Sequence, residues 1–281
     1  MPPRPRTCFL KLRPPSSPLP LISIRHFTSS PSSSPSPLAN QKILITGASR
    51  GIGQAIATRF AQEGGRCILV GRNRAVLEEV KGGLACVGDG GREHEHEIAV
   101  GDVGQEGFWR GGFRGRKDVT HLINAAGITH SSPLFTTQVS SLESVIQTNL
   151  MGTMLACRIV GLGMLKNKQG CIINIASLLG LKGGRGSSAY AASKAGVIGF
   201  TRALAAEAGE KGIRVNVIVP GYIETDMITA MPPSARATAL NAIPLKRFGT
   251  PSEIADAALF LATNAYANNC VLNLDGGLSA M

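Results

Sequence analysis

The residues with the plainest chemical use are a tyrosine and a lysine four positions apart. Tyr190 and Lys194 occupy positions i and i+4 of the segment YAASK, so a helix would put them on one face. A phenol has a reference pKa of about 10, and a neighbouring ammonium favours the phenolate and lowers that pKa. Tyr190 could then protonate a carbonyl oxygen while hydride reaches the carbon, with Ser177 hydrogen-bonded to the same oxygen. Surface helices also carry such pairs, so further motifs must support this prediction.

A glycine-rich turn, TGASRGIG at 46–53, joins the first predicted strand to the first predicted helix. Its three glycines let the backbone turn sharply and approach a pyrophosphate, and the helix N-terminus presents free N–H groups to that anion. At the start of the first βα unit, this pattern favours dinucleotide binding over simple packing. The predicted cofactor-binding residues of the turn are Gly47, Ser49, Arg50, Gly51, Ile52 and Gly53.

Charge at the next strand end indicates which dinucleotide this turn would bind. A site that prefers NAD usually has an acidic residue at the end of the second strand, where it holds the ribose hydroxyls. Here that strand ends in VGRN, with Arg72 and no acid. Arg50 and Arg72 could bracket a 2′-phosphate with bidentate hydrogen bonds, which favours NADPH over NADH. The alternative for Arg72 is a solvated charge at a strand end.

The elements that would hold these residues alternate between strands and helices. Short, mostly apolar and β-branched segments are separated by helical patterns, which is typical of a parallel sheet covered on both faces. The predicted fold is a single-domain α/β Rossmann fold with a doubly wound parallel sheet of about seven strands. The predicted strands are Lys42–Thr46, Arg66–Val70, Ile98–Val100, Val119–Asn124, Gly170–Ala176, Arg214–Val219 and Val271–Leu274.

The first 39 residues differ from the rest in composition. The chain has 281 residues and a formal charge of +11, and this segment carries five basic residues and no acidic one. It is rich in proline and serine and cannot bury enough apolar area to offset its ordering entropy. We predict a disordered transit peptide over residues 1–39, a Rossmann domain over residues 40–281, and the mitochondrial matrix as the location, with the plastid as second candidate. The alternative is an unprocessed disordered tail.

Overall composition excludes several classes of protein. Hydrophobic residues make up 43% and charged residues 17%, which excludes global disorder. No run of 18 apolar residues lacks a charge, so we expect no membrane span. The six cysteines are scattered without a C-x-x-C pair, which indicates reduced thiols rather than a disulfide framework.

Taken together, the motifs resemble the short-chain dehydrogenase/reductase family over essentially all of residues 41–281. The likeness includes TGxxxGxG at 46–53, NAAG at 124–127 after the fourth strand, and Ser177 thirteen positions before Tyr190. It implies that Tyr190 is the general acid and that Ser177 orients the carbonyl group. It also implies that Lys194 binds the nicotinamide ribose and tunes the tyrosine, and that Asn149 holds a water of a proton relay.

The same resemblance implies the remaining contacts of the cofactor. Asp102 and Val103 would contact the adenine, and Ala125 stands where the family usually has a second asparagine. The other implied cofactor-binding positions are Asn124, Ala125, Gly127, Tyr190, Lys194, Pro220, Gly221, Ile223 and Thr225.

Within this family, the last third of the chain is most similar to β-ketoacyl-acyl-carrier-protein reductases, as in PGYIETDM at 220–227 and VLNLDGG at 271–277. This likeness implies an acyl-carrier protein as partner and a tetramer, homomeric or heteromeric, built on the helices predicted over Asn149–Lys166 and Tyr190–Glu207. Lys168 and Lys211 would lie near the entrance and help to dock the acidic carrier protein. The alternative is two solvated lysines at helix C-termini, where the helix dipole favours cations.

Three further segments allow other interpretations. Arg110–Lys117 is rich in glycine, so we expect an irregular loop, with an RGG-type nucleic-acid segment as the less favoured alternative. The segment EHEHE at 93–97 has two histidines at i, i+2, but we expect a surface segment rather than a metal site. Tyr222–Phe248 follows the carboxyl end of the sixth strand, where we predict a substrate lid against the alternative of a long exposed loop.

Three hypotheses about function follow from these observations. The first is NADPH-dependent reduction of carrier-bound 3-oxoacyl thioesters to 3-hydroxyacyl thioesters in organellar type II fatty-acid synthesis. The second is an NADPH-dependent carbonyl reductase of free small ketones, quinones or polyols. The third is an NADPH-binding subunit without catalytic activity. The presence of all four predicted catalytic residues argues against this third hypothesis. We expect no binding of nucleic acid or membrane.

Overall fold

The described part of the chain folds around one parallel sheet. The computed structural model describes residues 36–85 and 95–280, so most of the predicted transit peptide lies outside the described residues. Seven parallel strands lie in the order β3-β2-β1-β4-β5-β6-β7, which confirms the predicted doubly wound Rossmann fold. The strands are β1 Lys42–Thr46, β2 Arg66–Gly71, β3 Glu97–Val100, β4 His121–Asn124, β5 Gly170–Ile175, β6 Ile213–Pro220 and β7 Val271–Leu274.

Helices connect the strands, and their starts follow local sequence signals. The side chain of Asn73 accepts the N–H of Val76 at the start of α2. Thr250 and Glu253 form a reciprocal capping box at the start of α10. The helices are α1 Gly51–Gln62, α2 Arg74–Gly82, α3 Glu106–Phe113, α4 Val139–Ile146, α5 Gly152–Asn167, α6 Leu179–Lys182, α7 Ser188–Gly209, α8 Asp226–Thr229, α9 Pro233–Ala242 and α10 Pro251–Thr263, with a π-helical turn Gln147–Met151 between α4 and α5.

Each face of the sheet has its own hydrophobic core. Successive side chains of a strand point to opposite faces, so Ile43 packs with α1, α2 and α10 while Leu44 packs with α3, α5 and α7. The first core contains Phe60 and the second contains Trp109, and both rings are fully buried. The two cores hold the strands in one register and therefore hold their carboxyl ends at one edge.

The packed domain begins before the predicted boundary at residue 40. Leu38 is 1% exposed and belongs to the core around α1. Its N–H donates to the carbonyl of Glu63 at 3.0 Å. Burial of a leucine side chain contributes about 1.5–3 kcal/mol, so a shortened protein should retain the residues from Pro35 onward.

The irregular loop expected over Arg110–Lys117 is a helix in its first half. α3 continues through Gly111 and Gly112 and ends at Phe113. The buried rings of Trp109 and Phe113 anchor it to the core, and this packing outweighs the cost of about 1 kcal/mol that glycine adds to a helix. Only residues 114–117 lie outside the helix.

The surface segment expected before β3 is also buried in part. His96 is 3% exposed, its Nδ1 accepts the N–H of Cys67 at 3.0 Å, and its Nε2 lies 3.1 Å from the carbonyl oxygen of Ala85. The imidazole therefore connects β2 to the segment that follows α2. Glu93 and His94 lie outside the described residues. Within 36–85 and 95–280, no group of three His, Cys, Asp or Glu side chains could hold a metal ion.

One helical run, Val139–Asn167, is long and apolar enough by length and composition to cross a membrane. The most apolar stretch of this run is 56% buried inside the domain, as expected for a helix that packs on a sheet.

The segment at residues 222–248 contains α8 and α9 instead of a bare exposed loop. Ile228, Ala239, Ile243 and Phe248 form a small core of their own there.

Candidate active site

The predicted site residues lie at one edge of the sheet. The carboxyl ends of parallel strands meet at the same edge, and Asn124 at the end of β4 pairs with Thr46 of β1 and Asn174 of β5. From β1 the chain continues to β2 on one side, while β4 lies on the other side. The glycine turn and the NAAG turn therefore flank the point where the strand order reverses, which is where such sheets bind ligands.

Tyr190, Ser177 and Lys194 come together at this edge. Tyr190 and Lys194 lie near the start of α7 and are 9% and 5% exposed. The Lys194 Nζ is 5.9 Å from the centroid of the Tyr190 ring, and the Ser177 hydroxyl is hydrogen-bonded to the Tyr190 phenol. Two hydroxyl groups and an amine thus form one cluster at the end of β5.

The pKa of Tyr190 moves in the opposite direction to the one predicted. Burial raises the pKa of this phenol above 10, and the hydrogen bond with Ser177 offsets only part of that change. Burial also lowers the pKa of Lys194 to about 8, while its Nζ donates to the carbonyl of Ile175 at 2.8 Å. The net direction of the Tyr190 pKa shift therefore differs from the prediction, because burial favours the neutral phenol.

Asn149 lies in the π-helical turn and clamps the segment that follows β4. Its Oδ1 accepts the N–H of Ile128 at 2.8 Å, and its Nδ2 donates to the Ile128 carbonyl at 2.9 Å and to Ser193 Oγ at 3.1 Å. A Cβ on Gly127 would stand 3.3 Å from Asn149 Oδ1 and 3.4 Å from Lys194 Nζ. Asn149 therefore holds the NAAG turn against Lys194, and single π-turns of this kind occur often at functional sites.

A chain of buried amides, which sequence reasoning missed, links β4, β5 and α7. Asn124 Nδ2 donates to Asn174 Oδ1 at 2.8 Å, Asn174 Nδ2 donates to Thr201 Oγ1 at 2.9 Å, and that hydroxyl donates to the Val197 carbonyl at 2.7 Å. Asn124 is 3% exposed, so its side chain supports the sheet rather than reaching a cofactor. An asparagine inside the apolar strand GCIINI was the available signal, because a buried amide needs partners.

Thr46 joins the glycine turn to the NAAG turn. Its Oγ1 accepts the N–H groups of Ala125 and Ala126, both at 3.1 Å. A Cβ on Gly47 would lie 2.7 Å from the Cα of Ala126, so the two turns touch through their backbones. Ala125 packs its methyl group against the neighbouring core.

The glycine turn has the shape that a pyrophosphate requires. Gly47 and Gly51 have φ values of 67° and 57°, a region that favours glycine. A Cβ on Gly53 would lie 2.2 Å from the carbonyl oxygen of Gly47, so a larger residue would clash. The first turn of α1 has no acidic residue, which leaves its N–H groups to an anion. With Ser49 and Ile52 in the same turn, these residues fit the phosphates of a dinucleotide.

The two arginines that were expected to bracket a 2′-phosphate differ in their contacts. Arg72 follows β2 and is exposed, and no carboxylate of the described residues lies within 4.0 Å of it. Arg50 donates from Nη1 to Asp226 Oδ2 at 3.1 Å. Both guanidinium groups lie beyond the carboxyl ends of β1 and β2, on the side expected for the adenosine half of a cofactor.

The loop after β3 is fixed by a tryptophan. Trp109 Nε1 donates to the carbonyl of Val103 at 2.8 Å, and Asp102 Oδ1 accepts the N–H of Gly104 at 2.9 Å. A Cβ on Gly152 would lie 2.9 Å from the Val103 side chain. Asp102 and Val103, the predicted adenine contacts, are thus held from α3 and α5.

The end of β6 lies beside the glycine turn. Pro220 is the last residue of β6, and the N–H of Gly221 donates to the carbonyl of Leu274 at 2.8 Å. Ile223 is buried, and Thr225 Oγ1 donates to its carbonyl at 3.2 Å. A Cβ on Gly51 would stand 3.2 Å from the Thr225 methyl group, so residues 220–225 form a third wall of the candidate cofactor site.

Comparison with known proteins identifies the family. The short-chain dehydrogenase pattern described as enoyl-(acyl carrier protein) reductase matches residues 47–279. The chain belongs to the short-chain dehydrogenase/reductase family. It is therefore an oxidoreductase of that family.

Three relatives show how broad the family is around this chain. A 3-oxoacyl-[acyl-carrier-protein] reductase of Bos taurus is 42% identical over 241 residues, covering 83% of this chain and 96% of the relative. Carbonyl reductase family member 4 of Danio rerio is 38% identical over 250 residues, covering 85% and 98%. A solved structure from Beutenbergia cavernae, assigned as an NAD(P)-dependent gluconate 5-dehydrogenase with bound NADP at low occupancy, has a TM-score of 0.78 at 33% identity, covering 88% and 100%.

In this short-chain dehydrogenase/reductase, Lys168 and Lys211 do not border the entrance of their own chain. Lys168 caps the C-terminus of α5 with φ of 52° and lies two residues before β5, and Lys211 lies two residues before β6. Both therefore lie at the amino edge of the sheet, opposite Tyr190. Their positions fit the alternative of solvated lysines at helix C-termini. Within a single chain, the predicted position of the two lysines near the entrance is therefore wrong.

Proposed function

We propose that this chain reduces 3-oxoacyl thioesters, carried by an acyl-carrier protein, to 3-hydroxyacyl thioesters with NADPH. The single observation that carries the chemistry is the hydrogen bond between the hydroxyls of Ser177 and Tyr190 beside Lys194. The name of the Bos taurus relative supports the carrier-bound substrate. Two hydroxyl groups at one point suit a carbonyl oxygen that becomes an alcohol.

NADPH is the proposed cofactor, and it supplies the hydride when bound. The glycine turn and the N-terminus of α1 would hold its phosphates, Arg50 and Arg72 its 2′-phosphate, and residues 102–103 its adenine. Asn124 would contribute through its backbone, since its side chain is committed to Asn174.

Each catalytic side chain has one role in this proposal. Tyr190 donates the proton from its hydroxyl to the carbonyl oxygen, and Ser177 donates a hydrogen bond to the same oxygen. Lys194 contributes positive charge beside the phenol when it is protonated, which its pKa of about 8 permits at neutral pH. Asn149 keeps Gly127 and Ile128 in place around the amine.

The experiment is a substrate panel with the protein from Pro35 onward. We expect NADPH oxidation with an acetoacetyl or 3-oxodecanoyl carrier thioester, and at least about 100-fold less turnover in Tyr190→Phe, which removes only the proton donor. Tyr266→Phe is the matched control, because Tyr266 is 99% exposed. A crotonyl carrier thioester tests carbon–carbon double-bond reduction, which the description of the family pattern raises. No oxidation with either 3-oxoacyl substrate would refute the proposed substrate.

The second candidate function is reduction of free small ketones, quinones or polyol-derived carbonyls. The observation that favours it is the match to carbonyl reductase family member 4 of Danio rerio. A higher kcat/KM for free ketones and quinones than for carrier thioesters would select this candidate. The third hypothesis, nucleotide binding without catalysis, predicts no turnover with any substrate. Tyr190→Phe would then leave the measured activity unchanged.

Assembly and location form the last part of the proposal. We propose a tetramer that buries the apolar face of the helical run from α4 to α5, and import into the mitochondrial matrix directed by residues 1–39. Light scattering should give a mass near four chains, and Leu162→Glu should lower it. A fluorescent protein fused after residue 39 should enter mitochondria, whereas a plastid or cytosolic signal would contradict the proposed location. The exposed apolar residues of this face are Val139, Ile146, Met151, Met154, Leu162 and Leu165.

A further inference from the structure

The glycine turn and the lid segment (residues 222–248) are joined by one ion pair. Arg50, in the centre of the turn, donates from Nη1 to Oδ2 of Asp226 at 3.1 Å across 176 positions of sequence. The two side chains are 77% and 72% exposed. A ligand that approaches from solvent can therefore reach the guanidinium without unpacking the core.

The lid segment is held together by contacts of its own. Arg236 donates from Nη2 to Glu224 Oε1 at 2.6 Å, and its guanidinium carbon lies 4.8 Å from the centroid of the Phe248 ring. Ile228 and Phe248 belong to the separate small core. Asp226 is the first residue of α8. A change at its carboxylate therefore affects the start of this helix and not the small core of the lid segment.

A phosphate and the Asp226 carboxylate would compete for the same guanidinium. A phosphate monoester carries a charge of about −1.5 to −2 and three acceptor oxygens, and arginine binds such a group through two parallel hydrogen bonds. The contact to Asp226 uses one nitrogen and is exposed, so it is a weak ion pair. A 2′-phosphate held by Arg72 and Arg50 together would displace it.

We propose that Asp226 makes the lid segment respond to the 2′-phosphate of the cofactor. Without the cofactor, the Arg50–Asp226 ion pair holds the lid segment to the glycine turn. When the 2′-phosphate binds Arg50, this ion pair breaks and the lid segment is released. This inference rests on the proposed use of NADPH. It assigns Asp226 as a positioning residue that couples cofactor loading to access for the substrate. It also makes the release specific for NADPH, because NADH has no group for Arg50 at this position.

The test uses 2′,5′-ADP, which carries the 2′-phosphate, and 5′-AMP, which lacks it. In hydrogen exchange of the protein, 2′,5′-ADP should speed exchange of the Thr229 and Ala230 amides, which donate to the carbonyls of Thr225 and Asp226. 5′-AMP should leave their exchange unchanged. In Asp226→Asn the faster exchange should already be present without a nucleotide.

Calorimetry separates this coupling from a general effect of charge. Asp226→Asn should bind 2′,5′-ADP about two- to fivefold more tightly, the range set by an exposed ion pair, and should bind 5′-AMP as before. Asp256→Asn is the matched control: it removes the same charge from an exposed carboxylate outside the lid segment, whose partner is Arg59. In an Arg50→Gln background, Asp226→Asn should have no further effect.

The outcomes distinguish failure of the proposed cofactor preference from failure of the coupling through Asp226. If 2′,5′-ADP binds no more tightly than 5′-AMP, the proposed preference for NADPH fails. If 2′,5′-ADP binds more tightly but leaves the two amides unchanged, or if Asp256→Asn has the same effect as Asp226→Asn, the coupling through Asp226 is refuted while the cofactor proposal stands.

Discussion

Two lysines at opposite edges of the sheet show opposite electrostatic behaviour. Lys194, at the carboxyl edge, is buried and donates to the carbonyl of Ile175, and burial lowers its pKa to about 8. Lys42, at the amino edge, lies 2.7 Å from Glu97 Oε1 and 2.9 Å from Asp118 Oδ2. Burial alone would lower the pKa of Lys42, but the hydrogen bonds to Glu97 and Asp118 outweigh it and raise the pKa.

The difference shows what distinguishes a working lysine from a structural one in this fold. A lysine between two carboxylates stays charged at every physiological pH, so it can serve only as a fixed contact. A lysine with a carbonyl partner alone can change its protonation state near neutral pH at small cost. The amino edge therefore secures the sheet, and the carboxyl edge keeps groups whose charge can change.

The largest expected effect comes from removing each amine in turn. Lys194→Met should lower kcat by on the order of 100-fold or more, because the positive charge beside the Tyr190 phenol disappears. Lys42→Met should leave kcat unchanged, because it lies at the opposite edge. Steady-state kinetics of NADPH oxidation measures both, and equal losses in the two variants would remove the distinction between the edges.

The pH dependence of stability should differ in sign between the same two lysines. The folded-state pKa of Lys194, about 8, lies below the reference value of 10.5, so between those values the unfolded chain binds more protons and stability rises with pH. Relative to Lys194→Met, the wild type should gain stability on the order of 3 kcal/mol across this window. The raised pKa of Lys42 gives a contribution that is present below 10.5 and lost as pH rises through the folded value.

Urea unfolding of wild type, Lys194→Met and Lys42→Met at a series of pH values from 7.5 to 10.5 measures the contribution of Lys194. Over this range the difference between wild type and Lys42→Met should stay constant, because the Lys42 contribution is lost only above pH 10.5. Differences between each variant and the wild type cancel the titration of the other groups, including Tyr190. A wild-type curve that runs parallel to that of Lys194→Met would show that the amine has an ordinary pKa, and the comparison would lose its basis.

The sequence predicted the meeting of Ser177, Tyr190 and Lys194 because their positions follow general rules. A residue after a parallel strand lies at the carboxyl edge, and residues at i and i+4 share a helix face. The direction of the Tyr190 pKa shift did not follow, because burial is set by packing against residues distant in sequence. Lys168 and Lys211 were misplaced because their helices run back from the site to the amino edge.

Contacts across long sequence separations set the limit of this kind of prediction. Arg50 and Asp226 are 176 positions apart, and nothing local to either residue indicates the other. Asn174 and Thr201 are 27 positions apart and carry only the general signal of a polar residue within an apolar pattern. The helix through Gly111 and Gly112 likewise needed knowledge of where the rings of Trp109 and Phe113 are buried.

The buried amides give a smaller, structural test of the carboxyl edge. Asn174→Ala removes the hydrogen bond that Asn124 Nδ2 donates to Asn174 and the one that Thr201 Oγ1 accepts from it, which should cost about 2 kcal/mol of unfolding free energy. The same substitution loosens β5 next to Ile175, so kcat should fall as well. Asn167→Ala is the control, since its exposed amide donates to the Lys117 carbonyl at the surface and should cost less than about 1 kcal/mol. Equal losses of stability would show that burial of the amide is unimportant.

The smallest effect is expected at the amino edge, in Asp118→Asn. The hydrogen bond from Arg116, with a further one from Lys42, holds the pKa of the Asp118 carboxyl well below its usual value, although burial opposes this. A lowered pKa stabilises the fold above about pH 4 and is lost as pH falls. The carboxylate is 46% exposed, so screening by solvent limits its contribution to about 1 kcal/mol or less. Urea unfolding at pH 7 should show that small loss, shrinking in 1 M salt as expected for an exposed pair. A loss of several kcal/mol would instead mean that the amino edge relies on its charges as strongly as the carboxyl edge relies on its buried amides.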